Sequence, residues 1–587
     1  MTYLKQSHVQ IDTPMAPPAW ALMEWELIRA QERACAEFFE RYFDERGYLE
    51  CIPRWGGNDG PDDAIENLVN WPVLYLLGGA DQLRAMCELG WEGHLKQYTE
   101  AKTTAVPFAR DGMYYREFPV MFDWVHNGEG LTTFNLHGLM DPTAHNFDKR
   151  VRRFVSFYMG DDPQAPNYDK QHKIIRSLLN GSRGPMLRKA TALDWAGDPM
   201  EEVEERFNAL HGERNFGEML AHFEDYTDVA GDHPSNMVAT TLGLNAFALT
   251  GDQSFRDWVL EYVEAWRQRT IDNGGVIPTN IGLDGTVGGE CDGKWYGGCY
   301  GWAFTVTVPQ TGALSSRNTH YLGIAGFGNA LLFTGDQQYV DVWRQQIEKI
   351  NSHVKTIDGE RQYPHMHGDD GWYDYSTAPY SLGALDVFYW SMDRQDLKWL
   401  NSDSGWIGFL EGKAADYPVQ ALQRDFGRVR EQMEKVRNDP TTPDTRLSDN
   451  PNPLNPATIG SLVELMLGGM APRHGCPLHC RLRYFDPENR RPGMPDGVGA
   501  LVEKLEDDST TVTLVNTDQV TGRRVIIQGG AYAEHRFESV SINGEKIDVD
   551  STCFTVELAP GAGATLTVET KRYASQPTFA YPWDRRG

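Results

Sequence analysis

The densest run of chemistry-bearing side chains is Arg317-Asn318-Thr319-His320-Tyr321. A guanidinium beside a carboxamide can hold a carboxylate through parallel N–H donors. The imidazole and phenol that follow can move a proton if their pKa values are brought toward neutrality. A second run, His365-Met366-His367-Gly368-Asp369-Asp370, leads toward Tyr373-Asp374-Tyr375. One His-x-His pair fits a metal without specifying one, so His367 is read first as a contact to substrate or backbone. His474-Gly475-Cys476 with His479-Cys480 is the other metal-like group. No metal ligand is assigned and no cofactor is expected; a divalent metal is the one the residues leave open. Carboxyl groups enter at Asp62, Asp63 and Glu66, after the Gly- and Asp-rich loop Arg54–Asp63, and at Asp232, Glu290, Asp292 and Asp374.

What links these distant residues is a stretch that occurs twice. Asn245 to Gln253 and Asn329 to Gln337 are offset by 84 residues and share a Thr-Gly-Asp corner. Each copy reads as a buried helix ended by Gly251 or Gly335, then an amphipathic helix capped by Asp252 or Asp336 and carrying Trp258 or Trp343. Looser copies lie at Asn67–Gln82 and Tyr380–Asp396, with corners Gly78-Gly79-Ala80-Asp81 and Ser391-Met392-Asp393. Recurrent helical hairpins bury their apolar faces against their neighbours. The wide, irregular spacing suits a closed ring better than a regular solenoid.

In such a ring the segments entering the inner helices share one rim. Those segments are Gly60–Asn67, Asp232–Asn236, Ser316–Tyr321 and Asp370–Tyr380. The 84-residue offset sets His233 against Arg317 and Asn236 against His320. The rim therefore collects Asp62, Asp63, Glu66, Asn67, His233, Asn236, Arg317, Asn318, His320, Tyr321, Tyr373, Asp374 and Tyr375. Any one of Asp62, Asp63 and Asn318 can be a plain helix cap; the convergence of the set is the functional signal. The Gly- and aromatic-rich insertion Val276–Thr305, with Trp295 and Trp302, reads as a shaped loop over a pocket.

Helices run from about Pro18, opening with an amphipathic helix to Phe43, to about Leu467. The polar-aromatic block Ala105–Asp148 resists assignment. Beyond Pro495 the character changes to short β-branched runs at 510–515, 524–528, 539–542, 553–558 and 565–569, with Asn543-Gly544 as a hairpin signal. The expected division is 1–494 for a mainly α, (α/α)-toroid domain and 495–587 for a small antiparallel, sandwich-like β domain. A formal net charge of -28 argues against nucleic acid and anionic membranes as partners. The eight scattered Cys form no disulfide framework. Met1–Pro18 carries no apolar run and no stretch reaches membrane-spanning length, so a cytoplasmic protein is expected. There is no Gly-Lys-Ser/Thr phosphate loop, Rossmann fingerprint or Gly-x-Ser-x-Gly elbow.

A large helical ring with an aromatic cleft and a C-terminal β module resembles the (α/α)-toroid carbohydrate-active enzymes, among them polysaccharide lyases, unsaturated glucuronyl hydrolases and several glycosidases. That resemblance implies an acidic, uronate-containing glycan as substrate. In the lyases an Asn/His/Arg group neutralises the uronate carboxylate and a Tyr or His is base and acid, which implies Arg317 and Asn318 as clamp and His320 with Tyr321 or Tyr373 for proton transfer. Asp62, Asp63, Glu66, His233, Asn236, Trp295, Trp302, His367 and Tyr375 are then substrate contacts. The alternative is a glycoside hydrolase built on paired carboxylates, and the third is a non-catalytic glycan-binding protein.

Overall fold

The computed structural model describes residues 7–52, 54–57, 59–103, 106, 109–199 and 214–585. The opening of Met1–Pro18, Asn58 and part of the Ala105–Asp148 block lie outside them. The body is helical: α1 Ala19–Tyr42, α2 Pro61–Glu66, α3 Trp71–Leu77, α4 Asp81–Glu100, α5 Trp124–Met140, α6 Phe147–Ser156, α7 Ala192–Ala196 and α8 Phe216–Phe223. It continues with α9 Thr240–Thr250, α10 Gln253–Asp272, α11 Ile324–Thr334, α12 Gln338–Asn351, α13 Ala384–Ser391, α14 Gly405–Leu410 and α15 Tyr417–Asn438.

The two repeat copies build the same corner. Gly251 and Gly335 sit at φ 72° and 68°, in the left-handed region where a Cβ is strained. Their amides close onto Phe247 and Leu331 carbonyls at 2.7 and 2.8 Å. The Thr250 and Thr334 hydroxyls each donate four residues back and accept the Asp252 or Asp336 amide at 3.1 Å. Each Asp carboxylate then accepts the amide two residues on, Ser254 or Gln338. The looser copies turn corners too, at Gly78 (φ 130°) and at Met392, a non-glycine held at φ 58°.

The repeated Asn joins one inner helix to the next. Asn245 of α9 donates to Asn135 of α5 at 3.1 Å, and Asn329 of α11 donates to Thr240 and Thr241 of α9. Helices α3, α5, α9 and α11 pack in that succession, with α4, α10 and α12 against them. Next, α12 meets α13, Tyr389 of α13 faces Trp406 of α14 at 6.3 Å, α14 meets α15, and α15 lies along α1, which touches α4.

The segment Asp370–Tyr380, expected to enter an inner helix directly, is instead half of a β-hairpin. Glu360–Gly368 and Gly371–Ser376 pair antiparallel across the two-residue turn Asp369-Asp370, with Tyr373 opposite Met366. Alternating aromatic residues closed by Gly371 at φ 90° favour that strand, and α13 begins only at Ala384.

The C-terminal part holds two five-stranded sheets. The strands 509–516, 523–529, 536–542, 553–558 and 563–571 cover the five expected runs. Asn543 and Gly544, at φ 52° and 82°, form the expected two-residue turn. The sheets also recruit from before residue 495: Leu482–Asp486 pairs with Arg523–Gly529, and the strand His8–Ile11 lies parallel to Cys553–Leu558. Trp25 and Glu24 of α1 bond to the Val498 carbonyl and Ala500 amide, so the first helix is tied to the last module.

Candidate active site

Two helix beginnings face one cavity of about 320 Å³. Helix α2 starts at Pro61, with the Asp63 carboxylate accepting the Gly60 amide at 2.8 Å. Asp63 is thus a helix cap, as its position allowed. Asp62 and Glu66 stand one turn apart on the same helix. Helix α5 is capped by the fully buried Asp123, whose Oδ1 accepts the Val125 and His126 amides. Its Oδ2 lies 2.7 Å from His126 Nδ1. His126 and Glu129, three residues apart, point the same way from α5.

A Cβ on Gly128 would lie 3.2 Å from the His474 carbonyl, so glycine there lets the His474 loop approach α5; one on Gly130 would make ordinary contact with Asp62 Cα at 3.7 Å. The loop after Met470 is pinned to α5 by Thr132 and Asn135, which bond to the Gly475 amide and carbonyl. That places His474 Nδ1 3.3 Å from Glu66 Oε1, while Asn452 donates to Glu66 Oε2 at 2.6 Å. Facing donor atoms of Asp62, His126 and Glu129 all lie within 4.8 Å of one another, and so do those of Glu66, Glu129 and His474.

Burial raises Asp62 above the usual carboxylate range and Glu129 well above it. Burial, and then the Asp62 charge, pushes Glu66 up to about 7. Burial alone would lower His126, but the charge and hydrogen bond of Asp123, with Asp62 behind them, hold it well above an ordinary imidazole. The cluster therefore holds both proton donors and proton acceptors near neutral pH.

The other wall is aromatic. Tyr300 meets Trp195 and Tyr226 edge to face at 5.9 and 5.8 Å, Trp195 and Tyr226 are tilted against each other at 5.5 Å, and Trp55 stands against Phe122. Tyr300 is a non-glycine residue at φ 60°. Its carbonyl accepts from His233 Nε2 and from the Thr319 amide, both at 3.1 Å. A backbone held in a sparsely populated region by two donors is a feature of built sites.

Of the residues expected on the rim, Asp62, Asp63 and Arg317 line this cavity, and Glu66 lies beside it against His474. His233 sits behind it, gripping Tyr300. Asn236 belongs to a buried network with Asp232, the Ser177 carbonyl and Asn180. His320 is fully buried, stacked on Trp302 at 3.5 Å, with Nε2 3.1 Å from the Tyr380 hydroxyl. Burial keeps it neutral, well below an ordinary imidazole. Trp302 is enclosed as well, bonded to the Ile277 carbonyl. Asn318 faces the Met366 sulfur, and Tyr321 packs against the core. Trp295 lies 4.6 Å from the His367 ring, in a second aromatic group with Trp372. Tyr373 is exposed on the hairpin, and Tyr375 donates to the His353 carbonyl. Among the other expected carboxylates, Asp232 is bound up with Tyr262, Asn236 and the Ile175 amide, Glu290 accepts the Leu283 amide, and Asp374 lies on the hairpin.

The residues missed by sequence reasoning are Asp123, His126 and Glu129, along with Trp195 and Tyr226. Their signal was the spacing Asp-x-x-His-x-x-Glu, which puts a cap and two functional groups on one helix face. It was masked by Gly128, Gly130 and Gly138, which read against a helix.

Residues 8–364 match the family model described as "Domain of unknown function (DUF8034)", and the chain belongs to that family. The comparison with curated proteins returns no match. Among solved structures the chain is similar to a cellobiose 2-epimerase from Bacillus thermoamylovorans B4167, at 11% identity over 60% of this chain and 92% of that one, with a TM-score of 0.21. It is also similar to the GH127 β-arabinofuranosidase BT3674, at 11% identity over 96% of this chain and 82% of that one, with a TM-score of 0.18. Among the described residues, no helix is long and apolar enough to cross a membrane.

Proposed function

We propose that this chain is a carbohydrate-active enzyme whose helical hairpins close into an (α/α) toroid, and that it hydrolyses a glycosidic bond in the cavity between Glu129 and Trp195. One observation carries the reading: a cluster of buried carboxyl groups faces an aromatic wall across a space of sugar dimensions. Glycoside hydrolysis needs a proton donor for the leaving oxygen and a carboxylate on the water side. Glu66, held by Asn452 and backed by His474, is the donor; a carboxyl with a pKa near 7 is still largely protonated in mildly acidic solution and ready to give its proton. Asp62 and Glu129, in the same cluster as Glu66, orient the attacking water. Trp195, Tyr226 and Tyr300 offer the stacking surface for sugar rings.

Arg317 on the cavity wall supports an acidic substrate and keeps a second reading in play, β-elimination from a uronate. The two differ in product: elimination leaves a conjugated, ultraviolet-absorbing sugar, whereas hydrolysis leaves a saturated one. The deciding experiment incubates the full chain with panels of neutral and uronate-containing oligosaccharides and follows reducing ends and absorbance together. Saturated products are expected, and Glu66→Gln should lower turnover by about 10²–10⁴-fold. Absorbing products would replace hydrolysis with elimination. No turnover on any glycan would leave a binding protein.

A further inference from the structure

The cavity gathers carboxyl groups that no Lys or Arg of the described residues neutralises directly. Several carboxylates elsewhere have an arginine or a set of hydrogen bonds, although the buried Glu24 keeps one oxygen without a partner. Asp194 is gripped by Arg188, Asp396 by Arg344 and Glu92 by Arg150. Asp232 is held by Tyr262, Asn236 and the Ile175 amide, with Arg269 nearby. Among the described residues no Lys or Arg lies at ion-pair distance from Asp62 or Glu129. Their cationic neighbour is His126, and that ring is already claimed through Nδ1 by Asp123. Burying several carboxylates against one imidazole is costly unless they take up protons or further positive charge is supplied.

The geometry points to a divalent metal ion held by Asp62, His126 and Glu129. Three features go beyond a patch of acids. The donor atoms lie within 4.8 Å of one another, so one ion can touch all three. Two of the ligands leave α5 three residues apart and the third leaves α2, whose backbone passes beside Gly130 of α5. Finally, Asp123 fixes the His126 ring by taking Nδ1 at 2.7 Å, which leaves Nε2 as the ring's remaining ligand atom. A carboxylate behind a histidine is the usual support of a metal-bound imidazole. Two oxygens and one imidazole nitrogen suit a first-row divalent ion such as Zn²⁺ or Mn²⁺. Three protein ligands leave coordination positions open toward the cavity, where a water or a sugar hydroxyl would bind. Glu66 and His474, within 4.8 Å of Glu129, are not needed as ligands and serve proton transfer. The site deepens the proposed hydrolysis by naming what polarises the water, but it stands on ligand geometry alone.

The test uses the full chain, stripped with chelator and titrated with ZnCl₂ by calorimetry and with MnCl₂ by electron paramagnetic resonance. One saturable ion per chain is expected. Asp62→Asn and Glu129→Gln, close to isosteric, should weaken it by at least about 100-fold, and Asp123→Asn by about 10–100-fold, as loss of an outer carboxylate does elsewhere. Circular dichroism and melting of each metal-free variant confirm folding, and His126→Gln serves if one of the others fails to fold. Substitution of His367, in the separate aromatic group, should leave binding unchanged. Absence of a saturable site, or a site indifferent to Glu129→Gln and His126→Gln, overturns the assignment. Because the readout is binding, a chain that takes the ion but cleaves no glycan would refute the hydrolase and keep the metal site.

Discussion

At the scale of the residue, the cavity depends on side chains that hold others in place. His233 never meets the cavity space, yet with Thr319 it pins the strained Tyr300 carbonyl. Its ring accepts the Ser235 amide at Nδ1, which leaves the proton on Nε2 for Tyr300. Burial lowers its pKa to about 4, so this neutral form persists through the working pH range. His233→Ala should therefore loosen the Tyr300 wall, raising KM several-fold while kcat changes less; an unchanged KM would show that Tyr300 holds itself. Arg317→Ala should weaken uronate-containing substrates and spare neutral ones, because only the former lose a charged partner; equal loss on both would remove the acidic-substrate reading. Arg317 and the Asp62–Glu66 helix were legible in the sequence through their position before inner helices. His126 and Glu129 were not, because their roles come from Asp123 capping a glycine-rich helix, a contact that periodicity does not reveal.

At the scale of the element, the repeat carried most of the fold. Thr, Gly and Asp recur because each makes the same bond in both copies, and Asn because it joins neighbouring helices, though through different partners. The hairpin 360–376 escaped the argument because a repeat offset says nothing about insertions, and its strand pairing is decided by residues on both arms. The two corner glycines are not equally replaceable, however. A Cβ on Gly251 meets nothing within 4 Å, whereas one on Gly335 meets the Tyr573 carbonyl at 3.0 Å. Gly251→Ala should cost only the left-handed strain, about 1–2 kcal/mol. Gly335→Ala should cost more, because the segment after the last strand must also shift. Urea denaturation of the two variants compares them; a smaller loss for Gly335→Ala would mean that the Tyr573 contact yields freely.

At the scale of the whole molecule, buried titratable groups of opposite type set how stability follows pH. Burial lowers His94 to about 3 and His137 to about 4, from an unfolded value near 6.5. On acidification below 6.5 the unfolded chain takes up protons that the folded chain refuses, so these histidines make stability fall as pH falls toward 3–4. Burial raises Asp232 and Glu534 to about 7, from unfolded values near 4. Between pH 7 and 4 the folded chain takes up those protons first, so these carboxyls make stability rise as pH falls. The two sets oppose each other across the same window, and the native curve should be shallow there. Single substitutions should tilt it in opposite directions. Asp232→Asn removes a proton taken by the folded state and should make stability fall more steeply between pH 7 and 4. His94→Gln keeps an acceptor for the Tyr114 hydroxyl, which lies 2.7 Å from the native ring, and removes a proton taken by the unfolded state. That variant should lose less stability on acidification than the native chain. Urea midpoints measured at half-unit steps from pH 4 to 7.5 test both signs, and parallel curves for all three proteins would mean that neither group titrates differently on unfolding.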